Sequence, residues 1–226
     1  MPIDYQPLLL TFKLALITTI GLVVIGIPIA ALLAQSRSRL KSVVEALVSM
    51  PLVLPPSVLG FYLLLSFSPA HFLGHTLQSV FNLRLVFSFS GLVIGSMIYS
   101  LPFMVHPVQG GLESLPASLR EASYTLGKSK TETFFKVLLP NIKPALITGI
   151  VLTFAHTLGE FGLVLMIGGN LPGVTRVASI AIYDAAESLD FHAANVYSAI
   201  LLVISFITLL VVYLVNKHLA KKRLAI

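Results

Sequence analysis

Three groups of residues in this chain have types and spacings that could do chemistry. His71 and His75 stand four apart, the spacing at which two imidazoles on one helical face share a metal. No third ligand follows nearby, so they read as a solvated face and no metal site is expected. Gly127-Lys128-Ser129 has the ending of a phosphate-cradling GxxxxGK[ST] loop, but the first glycine of that pattern falls on Ala122 and no strand pattern precedes it. Glu160 is the one acidic residue set well inside an apolar stretch. An ionisable group in such a place is a functional candidate by default. An intramembrane enzyme would need HExxH or paired aspartates within its spans, and neither occurs. The chain has no cysteine, which excludes disulfides and Cys-based metal or redox sites. No catalytic residue is therefore expected. If ATP drives the protein, another chain binds the ATP and its Mg.

The elements that must position these residues are membrane spans. Only 11% of the 226 residues are charged and 56% are hydrophobic, with a mean hydropathy of +0.93. A soluble domain carries about 25% charge. Five apolar stretches are expected to cross, at 8–34, 43–67, 87–108, 142–169 and 193–215, giving an all-α integral membrane fold in one domain over 1–226. The second stretch contains MPLVLPPSVLG at 50–60, whose prolines remove backbone donors. Broken backbone in lipid survives only where protein buries it or it lines a wet cavity, so this run is a pathway candidate. Gly91 and Gly95 have the spacing of close helix packing. Residues 68–86 read as a loop, and 177–186 as a short amphipathic or re-entrant helix. The net charge of +6 marks loops on one side of a bilayer rather than a nucleic-acid surface. With the polar loop at 121–140 placed in the cytoplasm, twelve of the fifteen Lys and Arg fall on that side, Lys221, Lys222 and Arg223 among them. That bias puts the N-terminus outside and the C-terminus inside.

The polar loop itself reads EASYTLGKSKTETFFKVLLP. Pro116 suits a first helical turn. Leu119, Ala122 and Leu126 recur on one helical face, and Gly127 supplies a left-handed stop. Ser129 and Glu132 have capping-box spacing for a second helix running toward Leu139-Pro140. Two helices about a glycine, with a small apolar face, suit insertion into a partner's groove. The plainer reading is an amphipathic helix resting on lipid head groups.

This loop resembles the EAA motif of ABC-importer permeases: Glu121-Ala122-Ser123, then Gly127, then nine residues, then Val137-Leu138-Leu139-Pro140. Ser123 replaces the motif's second Ala, and Val137 its Ile. The runs MPLVLPP at 50–56, LGEFG at 158–162 and NLPGVTR at 170–176 are similar to the molybdate permeases and their sulfate/thiosulfate and tungstate relatives. The resemblance implies a bacterial inner-membrane permease of the type I ABC-importer fold, with 116–140 as its coupling-helix loop. An ATPase would dock there from the cytoplasm, on Glu121, Ala122, Ser123, Leu126, Gly127, Leu139 and Pro140. It also implies a homodimer with the pathway on its two-fold axis, and an oxyanion-binding protein docking from the periplasm or cell exterior.

On that reading an oxyanion needs hydroxyls and backbone donors along its route. Ser57, Thr153 and Thr157 are the candidate hydroxyls, beside Pro55, Pro56 and Gly60. Glu160 would repel an oxyanion. Its expected role is structural, bonding freed backbone near Gly159 and Gly162 or a residue on another helix. The alternatives are a sulfate/thiosulfate or tungstate permease, and an ion-coupled secondary transporter. Against the latter, the chain shows no clear internal repeat and only one well-buried carboxylate.

Overall fold

The computed structural model describes the backbone of residues 4–224 and the side chains of 4–217. The side chains of Lys221, Lys222 and Arg223, counted in the charge bias above, lie outside the described residues. Helix α1 (Gln6–Gln35) is apolar on every face, as a helix buried in protein and lipid must be. Its Thr11 and Thr19 hydroxyls bond back to the carbonyls of Pro7 and Ala15, each at 2.7 Å, so neither is left bare in the apolar core.

Among the described residues, three helices are long and apolar enough to cross a membrane unbroken: α1, α5 (Phe89–Glu113) and α12, which runs from Phe191 to Leu224. They run in one direction. At one end of the bundle the Tyr197 hydroxyl donates to the Asp4 carbonyl at 2.6 Å, and Lys13 sits 4.8 Å from the centre of the Phe89 ring. At the other end Lys41 meets Glu113 at 2.8 Å, and Asn216 donates to Thr148 at 2.9 Å.

Between them run two broken return segments. In the first, α2 (Lys41–Val53) and α3 (Pro56–Phe67) meet at 113°. The break falls at Leu54-Pro55, both extended, where consecutive prolines cannot continue a ladder of amide donors. In the second, α9 (Lys143–Leu158) stops at Gly159 and the chain restarts as α10 (Gly162–Gly168). The expected stretch at 142–169 is therefore not one helix. The expected third stretch is longer than 87–108, since α5 continues to Glu113.

The core lies where α1, α5 and α9 meet. Leu22, Ile27, Met104, Val105 and Val108 fill the half nearer the polar loop, and Leu14, Leu92, Leu163, Val164 and Ile167 fill the other. Gly95 takes part in this packing, since a Cβ there would lie 2.6 Å from Ile167 Cδ1. Gly91 does not share that role. Its added Cβ would lie 1.9 Å from the Leu85 carbonyl oxygen, so it is glycine because the chain turns tightly into α5. Ser88 caps that turn, accepting from Gly91 N at 3.1 Å.

The region 68–86 contains a helix, α4 (Phe72–Phe81), ended by Asn82 in the left-handed region at φ 50°. His71 and His75 are exposed on it, and among the described residues no third metal ligand stands with them. The short amphipathic helix expected at 177–186 is α11 (Ala178–Glu187). It buries Ala178, Ile180 and Ala181 against α12 and α1, and Ala178 N donates to Thr11 Oγ1 at 2.8 Å.

Candidate functional site: a docking element and a junction of broken helices

The polar loop folds as a helix, a glycine stop and a second helix. Pro116 is the N-cap of α6 (Ala117–Thr125), one position before the first turn. Gly127 has φ +76°. Its N–H donates to Tyr124 O at 2.9 Å, and Lys128 N donates to Ser123 O at 3.2 Å. These two bonds are the Schellman closure of a helix C-terminus. Ser129 then caps α7 (Lys130–Thr133), accepting from Glu132 N at 3.2 Å. Lys136, 2.7 Å from Glu132, holds that carboxyl below the usual carboxylate range.

From Phe134 to Leu138 the helix widens into a π turn before the short α8 (Leu139–Asn141). Leu139 N reaches back five residues to Phe134 O. Pro140 gives a reason for the widening: it has no N–H for the Lys136 carbonyl, and its ring would clash with that carbonyl in a regular turn. Leu138 and Ile142 are buried in the main core and anchor the loop to it.

Ser123 is the position where this chain departs from the alanine of the motif, and the structure gives it a partner. Its hydroxyl lies 2.9 Å from Thr133 Oγ1, both buried, tying α6 to α7. Ser123→Ala leaves the Thr133 hydroxyl without that partner, which costs about 1 kcal/mol. Hydrogen exchange of amides 117–133 is expected to quicken by about fivefold in the variant, and to recover toward the original rate when Thr133→Val is added. A rate unchanged in the single variant would mean the pair does not hold the two helices.

The outer side of the element is uncovered. Leu126 is 79% exposed and Phe135 59%, and Glu121, Ala122 and Pro140 are exposed beside them. Leu119 and Leu139 are half-buried. Next to α6, a cavity of about 490 Å³ separates it from the end of α1 and the start of α2, lined among others by Arg37, Lys41, Glu113, Arg120 and Glu121. Lys41 is bonded to Glu113, whereas Arg120 Nε is buried without a partner.

Sequence reasoning missed the ladder that fixes α2 to α5. Lys41 bonds Glu113, Gln109 Nε2 donates to Glu45, and Ser49 Oγ lies 3.0 Å from His106 Nε2. Each rung is about one helical turn from the next. Lys41, Glu45 and Ser49 recur every four residues inside an apolar helix, and that stripe was the available signal.

The two breaks meet halfway along the bundle. A Cβ on Gly162 would come within 3.1 Å of Pro56 Cβ and 3.3 Å of Ser57 N, so glycine lets the broken ends touch. Beside the contact is a cavity of about 650 Å³ lined by Pro56, Ser57, Tyr99, His156, Glu160 and Phe161, among others. Ser57 is exposed on its rim, and Pro55 caps α3 next to it. Three other pathway candidates are not on this surface. Thr153 and Thr157 are 0% and 2% exposed, and Thr157 donates to the Thr153 carbonyl at 2.9 Å. Gly60 packs on α10, where a Cβ would lie 2.8 Å from Met166 Cβ.

Of the two arms of the role expected for Glu160, the bond to freed backbone near Gly159 and Gly162 is not made, and the residue on another helix that interacts with its carboxyl is Ser96 of α5; Glu160 is 4% exposed and both its carboxyl oxygens are shut off from solvent. Its backbone is held by the Ser179 hydroxyl donating to its carbonyl at 2.6 Å.

Residues 26–224 match the family model described as binding-protein-dependent transport system inner membrane component. The chain is 44% identical over 210 residues to the molybdenum transport system permease protein ModB of Azotobacter vinelandii, covering 93% of each chain. It is 36% identical to the probable sulfate transport system permease protein cysT of Chlorella vulgaris, covering 93% of this chain and 79% of that one. Among solved structures, an inward-facing form of the MetNI methionine ABC transporter superposes with a TM-score of 0.73 over 94% of both chains. At 18% identity that likeness bears on the fold.

Proposed function

The chain belongs to the family of binding-protein-dependent transport system inner membrane components, the multi-pass permease subunits of ABC importers, and from that membership we propose that it forms the pathway for a tetrahedral oxyanion, molybdate first. The observation that carries the choice of cargo is the 44% identity, over 93% of both chains, to a molybdenum permease. The second reading, sulfate, is favoured by the 36% identity to a sulfate permease of greater length.

Two copies of the chain line the pathway, each presenting its junction of broken helices. The ATPase seats on α6 and Gly127 from the cytoplasm and carries the ATP and Mg. The oxyanion-binding protein docks at the opposite end, near Arg84 and Arg176. The charge bias supports this orientation, with the N-terminus outside. The exposed Leu126 and Phe135 support docking on this loop, since uncovered apolar side chains beside charged ones suit a partner surface.

The deciding experiment reconstitutes the permease with its ATPase and binding protein and follows ATP-driven uptake of molybdate, tungstate and sulfate. Molybdate is expected to outcompete sulfate by about a hundredfold, because the binding protein distinguishes the larger anion before handing it over. Preferential sulfate uptake would replace the cargo and leave the permease assignment standing. Uptake driven by an ion gradient without ATP would overturn the assignment to an ABC importer.

A further inference from the structure

The corner where α1 passes into α2 joins an apolar groove to a set of unspent donors. The groove holds about 310 Å³, and its walls are Ile29, Leu32 and Leu33 of α1 with Leu40 and with Val44 of α2. Leu32 is 72% exposed, and Ile25, seven residues before it on the same side of the helix, is uncovered too. The groove therefore opens on a face of the span that no other part of the chain covers.

Ser36, Ser38 and Lys41 complete the lining. Ser36 Oγ accepts from Ser38 N at 3.3 Å and Ser38 Oγ from Leu40 N at 3.2 Å, so each hydroxyl keeps its own proton to give. Lys41 is already taken up by Glu113 and Glu45. Arg37 and Arg39 are exposed on the same turn, and neither has an ion pair or hydrogen bond among the described residues. Lys41 and Arg37 also line the polar cavity beside α6, where Arg120 Nε is shut off from solvent without an acceptor. Glu121 is the one carboxylate of that cavity not engaged with Lys41. The corner thus sets surplus positive charge and free donors beside a groove with apolar walls. A negatively charged, acceptor-only group carried on a hydrocarbon chain fits both, and an anionic glycerophospholipid is built that way. A second copy seated here by two-fold symmetry would instead bring its own arginines against these.

We propose that this corner is a binding site for one anionic phospholipid, with an acyl chain in the groove and the phosphate held by Ser36, Ser38, Arg37 and Arg39. The site goes beyond the transport reading above and does not depend on which cargo the pathway carries.

The chain contains no tryptophan, so Leu32→Trp places a single fluorophore on the exposed wall of the groove. The full-length permease carrying it is reconstituted in phosphatidylcholine bilayers, and dibrominated phosphatidylglycerol or dibrominated phosphatidylcholine is added as the quencher. Quenching is expected to give an affinity about fivefold higher for the phosphatidylglycerol. Leu16→Trp, also on an exposed position of α1 but about 24 Å along the helix, is expected to show no preference. Arg37→Gln together with Arg39→Gln, added to Leu32→Trp, is expected to bring the ratio close to one. Equal affinity for the two lipids at position 32, an equal preference at position 16, or a preference that survives loss of the arginines would each overturn the site. Absence of quenching by either lipid would overturn it as well, since the groove would then be closed by a second copy. If Leu32→Trp does not fold, Val44→Trp on the opposite wall takes its place with the same expectations. No arm reads ATP-driven uptake, so failure of the lipid site and failure of the transport assignment are told apart.

Discussion

Gly127→Pro is expected to reduce ATP-driven uptake by more than about tenfold while the permease still reaches the membrane and folds. Gly127 holds φ +76°, which the proline ring, fixed near −65°, cannot adopt. Proline also removes the N–H that donates to Tyr124 O, half of the Schellman closure. The cost is about 3 kcal/mol, concentrated at the joint between α6 and α7. The membrane core is spared, because the loop is anchored in it by Leu138 and Ile142, well beyond the glycine. Gly127→Ala separates the two causes. No heavy atom lies within 4 Å of an added Cβ, so alanine meets only the left-handed strain, about 1 kcal/mol. It is expected to keep uptake within about threefold of the original. Uptake and ATPase stimulation, read beside the melting temperature of the isolated permease, check both variants. A proline variant that transports normally would mean the joint is not a lever.

Much of the architecture was legible in the chain because it rests on local rules. The left-handed Gly127, the cap at Ser129, the breaking power of Pro55-Pro56 and the short helix at 177–186 all follow from residue type and spacing. The second broken segment was legible only in part: Gly159 and Gly162 marked freed backbone around Glu160, but the run contains no proline, so 142–169 still read as one stretch. What breaks it is tertiary: Gly162 must admit Pro56 from a segment about a hundred residues away. Thr153 and Thr157 were misplaced for a related reason. A hydroxyl in an apolar helix looks like a pathway group, yet threonine commonly bonds its own turn and faces a neighbouring helix, as Thr157 does with Ser100. Gly91 shows the limit of pair patterns: its spacing from Gly95 fits helix packing, and its actual constraint is the carbonyl of Leu85.

Leu126→Asp is expected to weaken binding of the ATPase about thirtyfold without lowering the stability of the permease. The side chain is 79% exposed at the C-cap of α6, so it contributes little to the fold. A large apolar group uncovered beside a rigid turn has the features of an interface anchor, and desolvating an aspartate in its place would be costly. The expected loss corresponds to about 2 kcal/mol, the size of a typical hot spot. Glu121→Arg, exposed on α6 beside the cavity toward α1 and α2, is expected to act in the same direction through charge, and its effect should shrink as salt is raised. The leucine substitution should not respond to salt in that way. Affinity measured in detergent micelles distinguishes docking from the plainer reading, in which α6 rests on lipid head groups. A partner site loses affinity in micelles as it does in membranes. A lipid-facing leucine would leave the micellar affinity unchanged, and that result would move the docking surface off Leu126.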